Sequence, residues 1–315
     1  MELSLFFAGT GASVPSARRG LPATLLRRGG ERILFDCGEG TQRQLVRSVG
    51  LAELDAVFLT HLHADHWLGL PGMLKSFELR DRERPLTVYG PPGTRAALER
   101  LRPVFGRPRF GLTFAEPEAD EALERDGYRI VPFRVRHRGT AYGYAVVEDD
   151  RPGRFDAARA EALGVRPGPD FGRLQRGEGV DGVSPDQVLG PDRPGRRVVL
   201  TGDTAPTDAV VVAAHRADVL VHEATFGDED RERAAQTLHS TARQAATVAE
   251  DAEVALLALT HLSSRLPARR LLEEAREVFP DTEVPRDFDA IDVPFPERGG
   301  PELIEWRRAD QRAEA

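Results

Sequence analysis

Four potential metal ligands lie within six consecutive residues, in the run His61-Leu62-His63-Ala64-Asp65-His66. Their imidazole and carboxylate groups together favour zinc, with manganese or iron as alternatives. In an extended loop His61 and His63 point to the same side because side chains alternate, and Asp65 and His66 can turn towards a second point. This spacing predicts two adjacent metals, roughly 3.5–4 Å apart, of the kind that activates water for hydrolysis.

Three further candidate ligands come from distant parts of the chain, because one segment cannot surround two metals. Each follows a predicted strand: His137 comes after Tyr128–Arg134, Asp203 after Arg196–Leu200, and His261 after Val254–Leu259. Any one of them alone would be read as a solvated loop residue. Together they predict convergence at one edge of a sheet, where the carboxyl ends of strands build the active sites of α/β proteins.

Along the rest of the chain, short runs of strand-forming residues alternate with segments whose apolar residues recur at helical spacing, which predicts an α/β fold. Further strands are predicted at Leu3–Ala8, Ala23–Arg27, Arg32–Cys37, Asp55–Thr60, Leu86–Tyr89, Leu112–Phe114, Gly143–Val147 and Val219–Val221. Helices are predicted at Trp67–Leu79, Pro92–Leu101, Asp208–His215, Thr241–Glu250 and Ala268–Val278. The charged tail from Glu297 onwards is expected to end in disorder.

Composition narrows the class of protein. With 40% hydrophobic and 30% charged residues, the chain is expected to be globular and soluble, and its sequence holds no apolar run long enough to span a bilayer. Met1 to Gly11 resembles a first strand rather than a signal peptide, and the single Cys37 fits a reducing compartment, so we expect a cytoplasmic protein. The net charge of −8 does not exclude a nucleic-acid partner, because binding depends on local basic clusters.

Beyond these physical indications, the motifs carry a family resemblance. The run at 61–66 is similar to the signature of the metallo-β-lactamase superfamily. Within it, four other motifs resemble those of the ribonuclease Z (tRNase Z) family, which removes the 3′ trailer from precursor tRNA. They are Phe35-Asp36-Cys37-Gly38-Glu39-Gly40-Thr41-Gln42, His222-Glu223-Ala224-Thr225, His239-Ser240-Thr241 and Thr260-His261-Leu262-Ser263-Ser264-Arg265. The resemblance extends from Leu5 to about Pro294.

This resemblance implies one four-layer αββα domain over residues 1–315, with two zinc ions per subunit and a bridging hydroxide that attacks the phosphodiester. One metal would be held by His61, His63 and His137, the other by Asp65, His66 and His261, with Asp203 bridging them. Asp65 would also act as general base, and Glu223 with His239 would protonate the leaving 3′ oxygen. Asp36, at the end of a strand beside the site, is predicted to fix a ligand histidine.

Residues 150–195 are rich in Gly, Pro, Asp and Arg, which is typical of a functional projection or a disordered insert. By resemblance this segment is the family's flexible arm, which grips the tRNA elbow and serves the partner's active site in a homodimer. In its run Gly172-Arg173-Leu174-Gln175-Arg176-Gly177, Arg173 and Arg176 would then contact phosphates, although Gln175 stands where the family is expected to carry lysine. Arg265 is either a further phosphate contact or part of a structural salt bridge.

Two other functions compete with the tRNA endonuclease. The second interpretation is another hydrolase of the same fold, such as a thioesterase, a lactamase or a cyclic-nucleotide phosphodiesterase. The third is a non-enzymatic RNA-binding or scaffolding protein that kept the fold. Glu223, His239 and the arm argue against a small substrate, and the complete ligand set argues against a protein without activity.

Overall fold

The computed structural model describes residues 1–51 and 53–306, and in these ranges the chain forms two β-sheets covered by helices. The strands are β1 Leu3–Gly9, β2 Ala23–Arg28, β3 Glu31–Phe35, β4 Ala56–Phe58, β5 Leu86–Tyr89, β6 Leu112–Ala115, β7 Leu123–Arg125, β8 Tyr128–Arg134, β9 Tyr142–Glu148, β10 Arg197–Leu200, β11 Val219–Glu223, β12 Leu256–Thr260, β13 Thr282–Glu283, β14 Ala290–Asp292 and β15 Glu302–Ile304. The α-helices are α1 Thr41–Arg47, α2 Ala64–Trp67, α3 Leu70–Leu79, α4 Thr94–Arg100, α5 Arg102–Phe105, α6 Ala157–Ala162, α7 Pro169–Gln175, α8 Asp208–Ala214, α9 Arg231–Thr237, α10 Ala242–Asp251 and α11 Ala268–Arg276. Single 3₁₀ turns lie at Pro185–Gln187, Asp228–Asp230 and Pro296–Arg298.

The first sheet has eight strands in the order β15-β14-β1-β2-β3-β4-β5-β6, and the second has seven in the order β13-β12-β11-β10-β9-β8-β7. In the first sheet β3 to β6 are parallel neighbours, as are β10 to β13 in the second. Each parallel set therefore brings the carboxyl ends of several strands to one edge of its sheet, where the predicted ligands follow.

Alternating side chains build the layers. In β1, Leu3, Leu5 and Phe7 join the apolar cluster between the sheets, while Phe6 and Ala8 face the helical layer that includes α3. On the far side of the second sheet, α8, α10 and α11 cover a third cluster. Because strand residues point to opposite faces in turn, each sheet buries both faces. The predicted four-layer αββα sandwich is confirmed.

Residues 150–195, the arm, form a small unit with an apolar cluster of their own. The cluster consists of Ala160, Val165, Leu174, Val180, Val183 and Val188, with Phe155 and Phe171 packed against it. The arm leaves the sheet at the end of β9 and returns at the start of β10, closed by backbone pairing of Arg151 with Arg193. It thus joins the sheet at the ends opposite those that carry the predicted ligands.

The structure differs from the predicted elements in several places, and among its short elements α5, α9, β7, β13 and β14 have no predicted counterpart. The helix predicted at Trp67–Leu79 is divided between α2 and α3, where the N–H of Gly69 donates to the carbonyl of Cys37 at 2.9 Å instead of to the preceding helical turn. Helix α1 was not predicted. In the charged tail, β15 pairs with β14 and Glu297 binds Arg151 and Arg193, while the end of the tail, where disorder is expected, is not tested by the described residues. Residues 307–315 lie outside the described residues.

Membrane-spanning segments were not expected from the sequence. Across residues 1–51 and 53–306, no helix combines the length and the apolar character that crossing a bilayer requires.

Candidate metal centre and active site

The backbone changes conformation within the histidine run. Strand β4 is buried and leads into an extended segment that ends at His63, with φ −71° and ψ 144°, and α2 begins at the next residue. His63 therefore has extended backbone, whereas Asp65 and His66 lie on a helical turn. The N–H of His66 donates to the carbonyl of His63 at 3.0 Å, which folds the second pair of ligands back towards the first.

Asp203 lies at the centre of the cluster. Its side chain is 3% exposed, and it follows Gly202, whose φ of 61° and missing Cβ allow the loop to approach Thr60. Five imidazole rings each place a nitrogen within 4 Å of its carboxylate: His61 at 3.7 Å, His66 at 3.3 Å, His137 at 3.9 Å, His239 at 3.9 Å and His261 at 3.3 Å. The structure thus brings side chains from both sheets to one carboxylate.

The donor atoms form groups that suit metal ions. One group contains His61, His63, His137 and Asp203, and another contains Asp65, His66 and His261, with the atoms of each within 4.8 Å of one another. A third group joins Asp203, His239 and His261. The first two groups correspond to the two ligand sets that the resemblance implies.

Unpaired polar atoms show that these residues fit metals. Nε2 of His61, Nε2 of His66 and Oδ1 of Asp203 are buried and have no hydrogen-bond partner among residues 1–51 and 53–306. Leaving a buried polar group unpaired costs about 1–3 kcal/mol, so three at one point call for an occupant that they can bind. A cation that accepts imidazole and carboxylate ligands satisfies all three.

Neighbouring groups fix which ring nitrogen faces the centre. Nδ1 of His66 lies 2.8 Å from Oδ2 of Asp36, Nδ1 of His137 lies 2.9 Å from the carbonyl oxygen of Leu238, and Nδ1 of His261 lies 2.9 Å from Oγ1 of Thr225. Each contact engages Nδ1 and leaves Nε2 as the nitrogen that faces the other predicted ligands, the arrangement by which outer partners orient ligand histidines. Asp36 is thus placed against the Nδ1 atom of a predicted ligand histidine.

Electrostatics favour the ionised carboxylate at the centre. Burial alone would raise the pKa of Asp203, but His261 and His66 outweigh it and hold that pKa well below its usual range. Burial likewise opposes the charge on His66, yet Asp203 and Asp36 keep the pKa of its imidazole well above the ordinary value. The carboxylates therefore attract positive charge to this point, which is what metal binding requires.

Glu223 and His239 form a hydrogen-bonded ion pair beside the centre. Oε1 of Glu223 lies 2.7 Å from Nδ1 of His239 and also accepts from the N–H of Thr204 at 2.9 Å. Burial works against the imidazolium, but Glu223 raises the pKa of His239 to about 9. The His239 side chain is 14% exposed whereas that of Glu223 is 1% exposed, so only the imidazole can reach a substrate. The His239 imidazolium is therefore a protonated acid at the rim of the centre.

The segments around the centre depart from ordinary backbone conformations. Ser13, Asp36, Leu238 and His261 all adopt left-handed φ angles between 54° and 59°. Such a conformation costs a residue with a side chain on the order of 1 kcal/mol, and it persists where surrounding contacts over-determine it. Its concentration here indicates that the backbone is held for side-chain placement.

The predicted phosphate contacts fall in two regions. Arg265 is exposed four residues after His261 and forms no ion pair within the described ranges, so a structural salt bridge does not occupy it there. Arg173 and Arg176 lie in the arm and contact Glu178, at 3.3 Å and 3.1 Å. The structure therefore does not bring them to the metal cluster of the same chain.

Sequence reasoning missed two threonines that organise the site. Oγ1 of Thr60 contacts Asp36 and His61, and Oγ1 of Thr225 contacts Glu223 at 2.6 Å as well as His261. The signal was present, because Thr60 directly precedes the histidine run and Thr225 ends the run that starts at His222. It went unused because threonine is seldom a ligand.

Comparisons with known proteins agree with this geometry. The model of the metallo-beta-lactamase superfamily matches residues 19–261. A protein named Ribonuclease Z from Haloferax volcanii is 48% identical over 310 residues, covering 95% of this chain and 98% of that protein. Its counterpart from Halorubrum lacusprofundi is 47% identical over 308 residues, covering 94% and 99%. The solved short form of human tRNase Z has a TM-score of 0.68 at 29% identity, covering 92% of this chain and 99% of that one.

Proposed function

Because the chain belongs to the ribonuclease Z family of the metallo-β-lactamase superfamily, we propose that it is an endoribonuclease that removes the 3′ trailer from precursor tRNA. The products are a tRNA with a 3′-hydroxyl and a trailer with a 5′-phosphate. The observation that carries the choice of substrate is the arm, which folds around its own apolar cluster away from the metal centre. A small substrate needs no such projection, which argues against a lactamase or thioesterase.

The direct test is cleavage of a trailer-bearing tRNA precursor by the metal-loaded protein. We expect one cut at the junction of tRNA and trailer, with end groups identified by phosphatase and ligase sensitivity. Cleavage of a cyclic nucleotide or a thioester in preference to the precursor would overturn the proposal.

Two metal ions, for which zinc is the best fit, would polarise the phosphodiester and lower the pKa of a bound water towards neutrality, so that hydroxide would be available at neutral pH. His61, His63 and His137 would hold one ion, Asp65, His66 and His261 the other, and Asp203 would bind both. Asp65 is the proposed general base, because Oδ2 of its carboxylate faces Nε2 of His261 at 3.4 Å and Nε2 of His66 at 3.7 Å. Those two contacts and the nearby positive charge keep the pKa of Asp65 low despite burial, so it is ionised and ready to orient water.

The proton for the leaving 3′ oxygen comes from His239 in this mechanism. Glu223 stabilises the imidazolium and fixes the ring through Nδ1, so that Nε2 is the atom left to donate. Thr241, two residues later, caps α10 and forms a reciprocal capping box with Gln244, which anchors the segment that presents His239. The alternative, in which His239 is a third ligand to the ion at Asp203 and His261, predicts metal loss in a His239→Ala variant.

Glu223→Gln should shift the alkaline limb of the pH–rate profile for precursor cleavage to lower pH. The carboxylate raises the pKa of His239, so its removal lets the acid lose its proton earlier, by about 1–3 pH units. Single-turnover cleavage of the precursor across pH 6–10 measures the shift. The matched control is bis(p-nitrophenyl) phosphate, whose leaving group needs no proton and whose alkaline limb should stay in place. An unshifted limb with the precursor would contradict the role of His239.

Arg173 and Arg176 are the proposed phosphate contacts of the arm. In the free protein both contact Glu178, and Arg173 also contacts Asp170 at 3.3 Å. Exposed ion pairs of this kind contribute little stability, so tRNA phosphates can displace the carboxylates at small cost. Arg265, exposed near the metal centre, is the proposed contact closer to the cut.

Glu178→Gln should strengthen precursor binding about 1.4- to 5-fold, because the variant removes a competing carboxylate contact worth roughly 0.2–1 kcal/mol. Filter binding with catalytically inactive protein, in which Asp65 is also replaced, measures the affinity. Glu161→Gln is the control, since it removes the same charge from α6 without touching either arginine. Equal gains in both variants would show a general charge effect and count against the specific contact.

We further propose that the chain acts as a cytoplasmic homodimer in which each arm serves the partner's metal centre. The support is positional: the arm joins the sheet near Arg196 and the centre lies at Asp203, roughly 20 Å along an extended chain. Because the arm leaves from the opposite strand ends, a substrate gripped by it is more readily presented to a second subunit.

A further inference from the structure

We propose that Asp287 is a positioning residue of the metal centre: it fastens both ends of the loop 10–20, and that loop holds the carboxylate of Asp65. The inference rests on the proposed function only in taking Asp65 as a reacting group. Asp287 lies more than 20 residues beyond the last ligand, His261, and it belongs to none of the motifs that carry the family resemblance.

One carboxylate accepts four hydrogen bonds. Oδ1 of Asp287 accepts from the N–H and the hydroxyl of Thr10, at 3.1 and 2.8 Å. Oδ2 accepts from the N–H of Gly20 and from Nε2 of Gln44, both at 2.6 Å. Thr10 and Gly20 are the two ends of the loop, so a single side chain closes it.

The loop is fastened from within as well. The N–H of Gly11 donates to the carbonyl of Gly20 at 2.8 Å, which brings the ends together. The guanidinium of Arg19 donates to Oγ1 of Thr10 and, at 2.9 Å, to the carbonyl of Pro285 beside Asp287. The 285–287 segment thus grips the loop through main chain and side chain.

The same loop reaches two of the proposed ligands. At its tip the N–H of Ser13 donates to Oδ2 of Asp65 at 2.8 Å, from a backbone held at φ 59°. Along its side Ala12 and Thr10 exchange backbone hydrogen bonds with Leu262, at 3.1 and 3.0 Å, next to His261. Displacing the loop would therefore release the Asp65 carboxylate and loosen the segment that carries His261.

An aspartate is needed at this position because all four partners are donors. An ionised carboxylate has only acceptor sites, whereas the amide of asparagine would turn two N–H groups towards two donors. Asp287→Asn keeps the shape and removes the function, so its effect reports on the hydrogen bonds rather than on packing.

The test uses backbone hydrogen exchange of the whole protein together with Zn²⁺ affinity. In Asp287→Asn we expect exchange across residues 11–20 to accelerate at least ten-fold, and Zn²⁺ affinity by chelator competition to fall about 10–100-fold, the range for outer partners of ligands. Thr10→Val, nearly isosteric, removes one of the four donors and should shift both readouts in the same direction by less.

Asp289→Asn is the control. Asp289 is in the same turn and accepts from the N–H groups of Arg286 and Trp306, but its side chain makes no hydrogen bond to the loop. If Asp289→Asn reproduces the changes, or if Asp287→Asn leaves exchange and affinity at wild-type values, the proposal is overturned. Neither readout uses RNA, so a failure to cleave precursor tRNA would refute the proposed function and leave this inference standing.

Discussion

Replacing Asp65 with alanine is expected to abolish cleavage of every phosphodiester, precursor tRNA and nitrophenyl esters alike. Losing a general base alone costs about 10²–10⁴-fold in rate, and loss of a ligand adds to that. The expectation follows from the position of the carboxylate, which lies between His66 and His261 and is held by the N–H of Ser13. Rates on both substrates, with metal content measured by mass spectrometry, provide the measurement.

The control for this variant is Asp251→Ala, which changes an exposed aspartate at the end of α10. It should retain wild-type rates and metal content. If the Asp65 variant kept both metals and still hydrolysed the nitrophenyl ester at the wild-type rate, the role proposed for Asp65 would be wrong.

Removal of the arm is expected to slow cleavage of precursor tRNA but not hydrolysis of a small phosphodiester. With residues 155–189 replaced by a short Gly linker, precursor cleavage should fall at least 100-fold in kcat/KM, while hydrolysis of a nitrophenyl phosphodiester stays within about two-fold. The deletion can be bridged by a short linker because its two ends are already in contact: the N–H of Gly190 donates to the carbonyl of Arg154 at 3.0 Å. The deleted residues take their own apolar cluster with them and leave the three clusters of the sandwich intact.

Two further measurements sharpen this prediction. Mixing the arm-deleted chain with the Asp65→Ala chain should restore precursor cleavage, because only the mixed dimer pairs an intact arm with an intact centre on the partner. The second measurement is the salt dependence of precursor binding, which should flatten when phosphate contacts are lost. Undiminished precursor cleavage by the arm-deleted chain would refute the function assigned to the arm.

Local sequence signals predicted much of the fold. Strands such as β8 and β9 are recognisable by their β-rich composition, and the strand ends at His137, Asp203 and His261 were predicted for that reason. Short elements escaped because their boundaries depend on tertiary contacts. Helix α1 starts at a left-handed Gly40 with no side-chain cap, and at the break before α3 the N–H of Gly69 donates to the distant Cys37.

The candidate site was predictable in its ligands and less so in their supports. Histidines and aspartates carry their chemistry in their type, so a spacing argument finds them. Asp287 acts through hydrogen bonds to residues that are distant in the chain, such as Thr10, 277 positions away. No local pattern encodes such a contact, since it arises only when β14 and β1 are paired in the sheet.

The division of the ligands between the two sheets ties metal binding to folding. His61, His63, Asp65 and His66 follow β4 in the first sheet, whereas His137, Asp203 and His261 follow strands of the second. An ion bound by both sets is lost when the sheets separate, so by linkage it stabilises the native state, by about 2.7 kcal/mol at a free metal concentration 100 times Kd. The bound metals would then hold the two halves of the sandwich together. The concentration of free metal in the cell would determine the lifetime of the folded protein as well as its catalytic rate.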